Sequence, residues 1–513
     1  MNRTTKWVKL LVMLLLVATA LTALTACGKG DDNGKTTTAA TETGTKAPSS
    51  GEETTTGEGD ELKPIDVKFN GEEIKFLIWI DYNIPEYFDN YEDVAGSVLE
   101  LAIYNRRENT CDRLALDAVY VPMKRTDYMD SVRSGHMAGA TYDGYISYSS
   151  DAATMAMEGM ITNLSSLPYF NFTNPWYPDQ LISECSLFGN LYFCSGDLST
   201  NSLFMSTLVY FNKDIYKAHG LDAKVSSKYG YDNLYELVRN NAWTFDAMKT
   251  LAKNIYQDSD GNNMISGSDT FGFGTYYEEL DSFYYSADFT TINSDDEGMH
   301  LSENFTNVNM VSYILDTVGK FLYQSGDAMF FGSPQDARAA FDQNRILFHM
   351  GPASHAYKVF KFNEGLTYGV VPVPMFEEGE ARYKCTMSFG YCMYSIDSKT
   401  AKKDMCAAYI EELGRQSYLL TRPAIFEETF KLRYADNQDD SDMWDIVINA
   451  QSYDLGRVFN EQIGAGTNDQ PLVLLFRKLL STGASDWSSI MAGNRKLLTG
   501  YIDNINAKLR EME

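Results

Sequence analysis

Apolar and polar positions along this chain follow two periods, one close to 2 and one close to 3.6. "EEIKFLIWID" (72–81) alternates and then becomes a continuous apolar run, which predicts a strand covered on both faces. "SVLELAIYNRRENTCDRLAL" spaces its apolar residues as a helix does, and "DAVYVP" returns to strand. "YDGYISYSSD" is strand-like again, with a helix predicted from Asp151. "STLVYFNKDIYKAHGLD" is another strand–helix unit. In "NAWTFDAMKTLAKNIYQ" Thr244 caps a helix, Asp246 sits in its first turn, and Trp243 is placed to staple onto Met248. "RILFHMG", "LTYGVVPVP" and "GYCMYSI" are further strands. "SKTAKKDMCAAYIEELG" is an amphipathic helix with Met405, Tyr409 and Leu413 on one face, and the last hundred or so residues are mainly helical. Strands alternating with helices predict an α/β fold with parallel pairing. No internal repeat is present.

The first 63 residues follow a different pattern. Arg3, Lys6 and Lys9 precede an apolar core from Leu10 to Leu24, too short for a spanning helix and the right size for a signal peptide. Leu24-Thr25-Ala26-Cys27 resembles the bacterial lipobox, which implies cleavage after residue 26 and a lipid on Cys27. Residues 27–63 have no aliphatic side chain larger than alanine before Leu62, so they cannot bury enough apolar surface to order themselves. Their Gly, Ser, Thr and acidic content predicts a disordered tether. The expected location is the extracytoplasmic face of the cell membrane, with the anchor as the sole membrane contact.

About 450 residues remain, more than one compact core holds, which predicts two lobes. Lys and Arg number 43 against 70 Asp and Glu, a net charge of −27 that argues against nucleic acid and anionic lipid as partners. Six cysteines follow Cys27, and one pair can be argued. "ECSLFGNLYFC" reads as a hairpin turning at Gly189-Asn190, which would set Cys185 opposite Cys194 at a non-hydrogen-bonded site. Either a disulfide or two reduced thiols fits that geometry. Cys111, Cys385, Cys392 and Cys406 receive no pairing.

"DSDGNNMISGSD" follows the EF-hand ligand pattern, with Asp258, Asp260 and Asn262 at positions 1, 3 and 5 and the Met264 carbonyl at 7. Asp269 stands where the usual ligand is Glu, and Asn263 where it is Gly. The loop is therefore either a calcium site or a polar turn between helix and strand; no cofactor is required. The five histidines form no HExxH, and neither a G-x-S-x-G elbow nor a P-loop is present. A carboxylate-pair glycosidase has no spacing signature and stays open as the alternative to a non-enzyme.

Several segments, taken in order, resemble the bacterial extracellular solute-binding proteins of the family that includes maltose-binding protein. "FGNLYFCSGD", "LVYFNKDIYKAHGLD", "AWTFDAMKTLAK", "AAFDQNRILFHMGPASHAY", "LTYGVVPVP" and "CMYSIDSKTAKKDMCAAYIEEL" occur in the family's order across residues 70 to 415. Asn344-Arg345 departs from the family's Gly-Lys, and Ala353 stands where a sugar-stacking tryptophan occurs in maltose-binding protein, so a malto-oligosaccharide specificity does not carry over. The resemblance implies a type II periplasmic-binding-protein-like fold: two lobes, each a mostly parallel sheet flanked by helices, with a helical C-terminal region. The expected lobes are residues 64–200 plus 384–425 and residues 201–383 plus 426–513. It also implies a monomeric receptor that delivers a solute, foremost a mono- or oligosaccharide, to an ABC importer permease. A surface lipoprotein without transport is the other alternative.

Ligands of open α/β sheets sit beyond the carboxyl ends of the strands. Those ends carry Trp79, Asp81 and Tyr82, then Tyr148, Ser149, Ser150 and Asp151. Asp197 and Ser199 lie at the crossing between lobes, followed by Tyr276, Tyr277, Gly351, Ser354, Phe389 and Tyr391. Aromatic faces for the C–H side of a pyranose, with carboxylates and hydroxyls for its edge, are what a sugar site needs.

Overall fold

Ile74, Phe76 and Ile78 on one side of the first strand and Leu77 and Trp79 on the other are all buried, so this strand has to lie inside a sheet with both faces covered. In the computed structural model β1 (Glu72–Trp79) lies between β2 (Leu116–Met123) and β3 (Gly144–Tyr148), parallel to both. β9 (Cys392–Ile396) returns late in the chain to close the far side of β3 in antiparallel register, Cys392 opposite Tyr148. Gly144 is glycine for a steric reason: a Cβ there would run into the Phe76 ring of β1. The structure describes residues 62–81, 84–94, 96–380, 382–388, 390–428, 438–464 and 472–511. The signal sequence, Cys27, nearly all of the tether, Tyr82 and Phe389 lie outside the described residues.

The second sheet takes β4 (Thr207–Asn212), β5 (Phe271–Tyr276), β6 (Ala328–Phe331), β7 (Ile346–Pro352) and β8 (Tyr368–Val371) in the order β8-β4-β7-β5-β6. β5 is parallel to β6 and β7, whereas β4, which enters from the crossing, is antiparallel to both of its neighbours. This sheet is thus more mixed than the expected mostly parallel one. Asn344 adopts φ +57° just before β7 and donates from Nδ2 to the Gly365 carbonyl at 3.1 Å. Asparagine tolerates that left-handed geometry, which explains why it can replace glycine there.

Helices cover both sheets. α1 (Val98–Leu114) is capped by Ser97, whose Oγ accepts from the Glu100 amide at 3.1 Å. α2 (Arg125–Met137) follows β2, and α3 (Ser149–Met157) starts directly at the end of β3, two residues earlier than predicted. α4 (Phe245–Ala252) has the predicted Thr244 cap, at 3.2 Å from the Ala247 amide. α5 (Lys403–Gln416) packs on α1 and is buried on all sides from Met405 onward, not on one face alone. Its polar side can be covered because it is satisfied: Glu411 accepts from Tyr177 at 2.7 Å and from Asn174 at 2.6 Å, and Glu412 holds Arg415 at 3.1 Å. α6 (Trp487–Arg510) packs against the helix Val308–Gln324 beside the second sheet. Among the described residues no helix is long and apolar enough to cross a membrane.

The expected 185–194 hairpin is corrected. Cys185 is the last residue of a helix, Asp179–Cys185, and the turn falls one residue earlier than predicted. Phe188 (φ +50°) and Gly189 (φ +72°) form its centre, and Leu187 and Asn190 exchange both backbone hydrogen bonds. The shifted turn removes the register that set the two cysteines opposite each other. Cys185 and Cys194 are separate, buried free thiols.

Candidate functional site

β1, β2 and β3 end side by side, and their ends meet at Arg125, the first residue of α2. Its guanidinium lies 3.7 Å from the centre of the Tyr148 ring. Its Nη2 donates to Ser150 Oγ at 3.0 Å, to Asp151 Oδ1 at 3.4 Å and to Glu461 Oε1 at 2.5 Å. Trp79 stands edge-on to Tyr148 with centroids 5.1 Å apart, and its Nε1 donates to Asp81 Oδ2 at 3.3 Å. Asp81 also accepts from the Arg125 backbone amide. Four predicted residues, Trp79, Asp81, Tyr148 and Asp151, therefore form one cluster, with Ser149 at the start of α3 beside them.

Glu461 and Gln462 reach this cluster from the C-terminal region. Gln462 Nε2 donates to the Ser150 carbonyl at 3.1 Å and to Thr154 Oγ1 at 2.7 Å. Burial pushes the Asp151 carboxyl up to about 6 against the pull of Arg125, and its Oδ2 is buried without a hydrogen-bond partner. Burial would lower the Arg125 pKa, but the bond to Glu461 and the charge of Asp151 hold it above its ordinary value. Arg125, Glu461 and Gln462 escaped the sequence reading. Arg125 has a sequence signal, since it stands two residues beyond the end of β2, where sheet ligands bind; Glu461 has no local signal.

Beside Trp79 the chain from Ile84 to Asp93 folds over a cavity of about 530 Å³. Trp79, Tyr87 and Phe88 give it aromatic lining, and Glu86, Asp89, Asn90, Asp93 and Asn201 give it polar lining. Glu86 is buried at the start of the helix Thr200–Met205 and accepts from the Thr200 and Asn201 amides at 2.9 Å each.

No family model matches the chain, and no curated protein matches it in sequence. Solved structures do match over most of its length. A cyclo/maltodextrin-binding protein complexed with maltotetraose shares 11% identity, covers 87% of this chain and all of its own (100%), and superposes with a TM-score of 0.52. A cyclic alpha-maltosyl-1,6-maltose binding protein from Arthrobacter globiformis matches at 13% identity, 86% and 100% coverage and TM-score 0.52. M. tuberculosis UspC matches at 12% identity, 85% and 100% coverage and TM-score 0.50. The fold is that of the two-lobed solute-binding proteins.

Within this fold most of the other predicted residues lie outside that cluster. Tyr276 ends β5 buried, and its hydroxyl donates to Glu279 Oε1 at 3.1 Å. Glu279 also accepts from Thr207 at 2.7 Å, and burial raises its pKa. Tyr277 is half-buried with the Arg477 guanidinium 5.4 Å from its ring centre. Gly351 is a packing residue: a Cβ would come within 2.8 Å of His355 Nδ1 and 3.0 Å of His349 Nε2. Those two rings stack 3.1 Å apart at their nitrogens, with burial pushing His349 down to about 3, so the pair is neutral. Ser354 is buried, and Tyr391 is buried beside Ser149 and Tyr148 of the first cluster and edge-on to Tyr453. Asp197 is buried against Arg422 at 3.3 Å, and burial raises it to about 6 despite that partner. It is an ion-pair residue of the crossing.

In the 258–269 loop the ligand atoms of Asp258, Asp260 and Asp269 lie within 4.8 Å of one another. Asp258 accepts from the Gly261 and Asn263 amides at 2.8 and 2.9 Å, and Asn262 Oδ1 accepts from the Met264 amide at 2.6 Å. Asp269 uses both oxygens within the loop, towards the Ser259 amide at 3.1 Å and the Ser266 amide at 2.9 Å.

Proposed function

We propose that this chain is a lipid-anchored extracytoplasmic receptor that captures a saccharide between its lobes and delivers it to an ABC importer permease. The observation that carries the reading is the convergence of Trp79, Tyr148, Arg125 and Asp151 at the strand ends with Glu461 reaching in from the C-terminal region. Aromatic faces beside carboxylates and amides suit a polyhydroxylated ring. The maltotetraose complex and the maltosyl-maltose-binding protein of the same fold support a saccharide as the solute. The proposed lobes are residues 64–200 plus 384–425 and 201–383 plus 426–513, in a monomer. The anchor rests on Leu24–Cys27.

A receptor fits the site better than a glycosidase. Asp151 and Glu461 share one cation, Arg125, at 3.4 and 2.5 Å, an arrangement that fixes them as binding groups. Closure on the ligand would select a bound state whose lobes present a joint surface to the permease. A thermal-shift screen across saccharides and peptides tests the reading. A saccharide at 100 times its dissociation constant stabilises by about 2.7 kcal/mol, and the protein should return it unchanged. Stabilisation by peptides alone, or cleavage of the saccharide, would refute the receptor.

A further inference from the structure

The segment 454–462 touches both proposed lobes, and its two ends are bound in different ways. It starts at the crossing, where the Tyr453 and Asp454 amides donate to Glu184 Oε2 at 2.7 and 3.1 Å. From there it is rooted in the second lobe. Asp454 accepts from the Thr291 amide at 2.7 Å, and Gly456 lies directly on Thr291, where a Cβ would come within 2.1 Å of the hydroxyl oxygen. Arg457 pairs with Asp281, which also holds Arg477 at 2.9 Å. The Arg457 and Asp281 side chains are only 3% and 4% exposed.

The first lobe is reached by packing of the turn Leu455–Val458 on α3 and by two polar contacts at the far end of the segment. Glu461 accepts from Arg125 at 2.5 Å, with the two side chains 40% and 30% exposed. Gln462 donates to the Ser150 carbonyl at 3.1 Å and to Thr154 Oγ1 at 2.7 Å. Breaking a buried pair strands a charge, whereas an exposed pair returns its groups to water at little cost. Release of Glu461 also leaves Arg125 paired, because Asp151 of its own lobe lies 3.4 Å away. The segment is therefore built to hold at its root and to let go at its far end.

We propose that residues 454–462 are a latch carried by the second lobe, which closes the cleft by locking Glu461 and Gln462 onto the first lobe. The latch rests on the two-lobed capture proposed above and adds a closing contact that the chain itself makes. Its two polar contacts differ in kind. The partly exposed ion pair of Glu461 weakens as salt screens it, whereas the neutral bonds of Gln462 do not.

The test is single-molecule energy transfer in the full chain without any saccharide. Fluorophores are coupled to azide-bearing residues placed at Asp130 on α2 and Lys320 on the helix Val308–Gln324, exposed positions on opposite proposed lobes, with the native thiols left unlabelled. At low salt Glu461→Gln should raise the ratio of open to closed molecules by up to about fivefold, the range of an exposed ion pair. At about 1 M salt, where the Debye length is about 3 Å, wild type should converge on Glu461→Gln. Gln462→Ala should also open the lobes, by a factor that salt leaves unchanged. Transfer efficiencies that coincide for wild type and Glu461→Gln at low salt, or a difference that persists undiminished at high salt, overturn the latch. No saccharide enters this measurement, so failure of the latch and failure of the saccharide reading are told apart.

Discussion

Trp79→Ala separates the two roles that the end of β1 can have. The indole is 3% exposed, edge-on to Tyr148 at 5.1 Å, and donates to Asp81 at 3.3 Å. It also lines the cavity, so it is a core residue at the edge of an open space. Truncating a buried tryptophan to alanine costs about 3–5 kcal/mol, because the void it leaves collapses only in part. Trp79→Phe keeps an edge for Tyr148 and should cost much less, since an aromatic pair contributes roughly 0.5–1.5 kcal/mol beyond its area. Urea unfolding at neutral pH measures both variants against wild type. The expected outcome is a lower midpoint with an unchanged slope, since the surface exposed on unfolding barely changes. If Trp79→Ala unfolds at the wild-type midpoint, the indole is not packed as described, and the position of the cavity wall fails with it.

The remaining predictions concern other parts of the chain. Cys27→Ser should release the protein from membranes or leave it unprocessed, because the thioether acceptor is gone; unchanged detergent-phase partitioning would refute the lipobox. Asp269 turns both oxygens to loop amides and reaches less far than glutamate, so a chelator should leave the melting temperature unchanged. A fall that Asp258→Ala abolishes would instead establish a calcium site. Burial raises Asp151 and Asp197 to about 6 and Glu411 to about 7. Each binds its proton more tightly folded than unfolded, so its stabilising contribution is full below about pH 4, the unfolded value, and is lost as pH rises through 6 to 7. Chemical denaturation should therefore show higher stability at pH 5 than at pH 8, and Glu411→Gln should flatten the difference; stability that climbs from pH 5 to 8 would contradict this.

Elements with a strong period were legible in the sequence. β1 to β3, the strand–helix unit at Thr207, the Thr244 cap and the Lys403 helix all lie where their apolar spacing put them, because local pattern and tertiary burial agree there. The hairpin at 189 failed where local chemistry was ambiguous. "FGN" offers two turns, and Phe188 adopts a left-handed φ of +50° that aromatic residues seldom take. The site was half legible. Residues at strand ends could be named, yet which of them face a ligand depends on partners far away in the chain. Arg125 covers Tyr148 because Glu461 lies opposite, and Gly351 makes room for two histidines.

Hydrogen–deuterium exchange with and without a saccharide that stabilises the protein tests the central claim, capture between two lobes, most directly. Binding should slow exchange at the ends of β1 and β3 and the start of α3, residues 79–93 and 148–151, and at the same time in the segment 455–462 that carries Glu461 and Gln462. Amides opened by local fluctuation report closure of that kind on the scale of single segments. Protection on both sides at one ligand concentration is the predicted result. Protection confined to one side, or none in either segment, would contradict capture between the lobes.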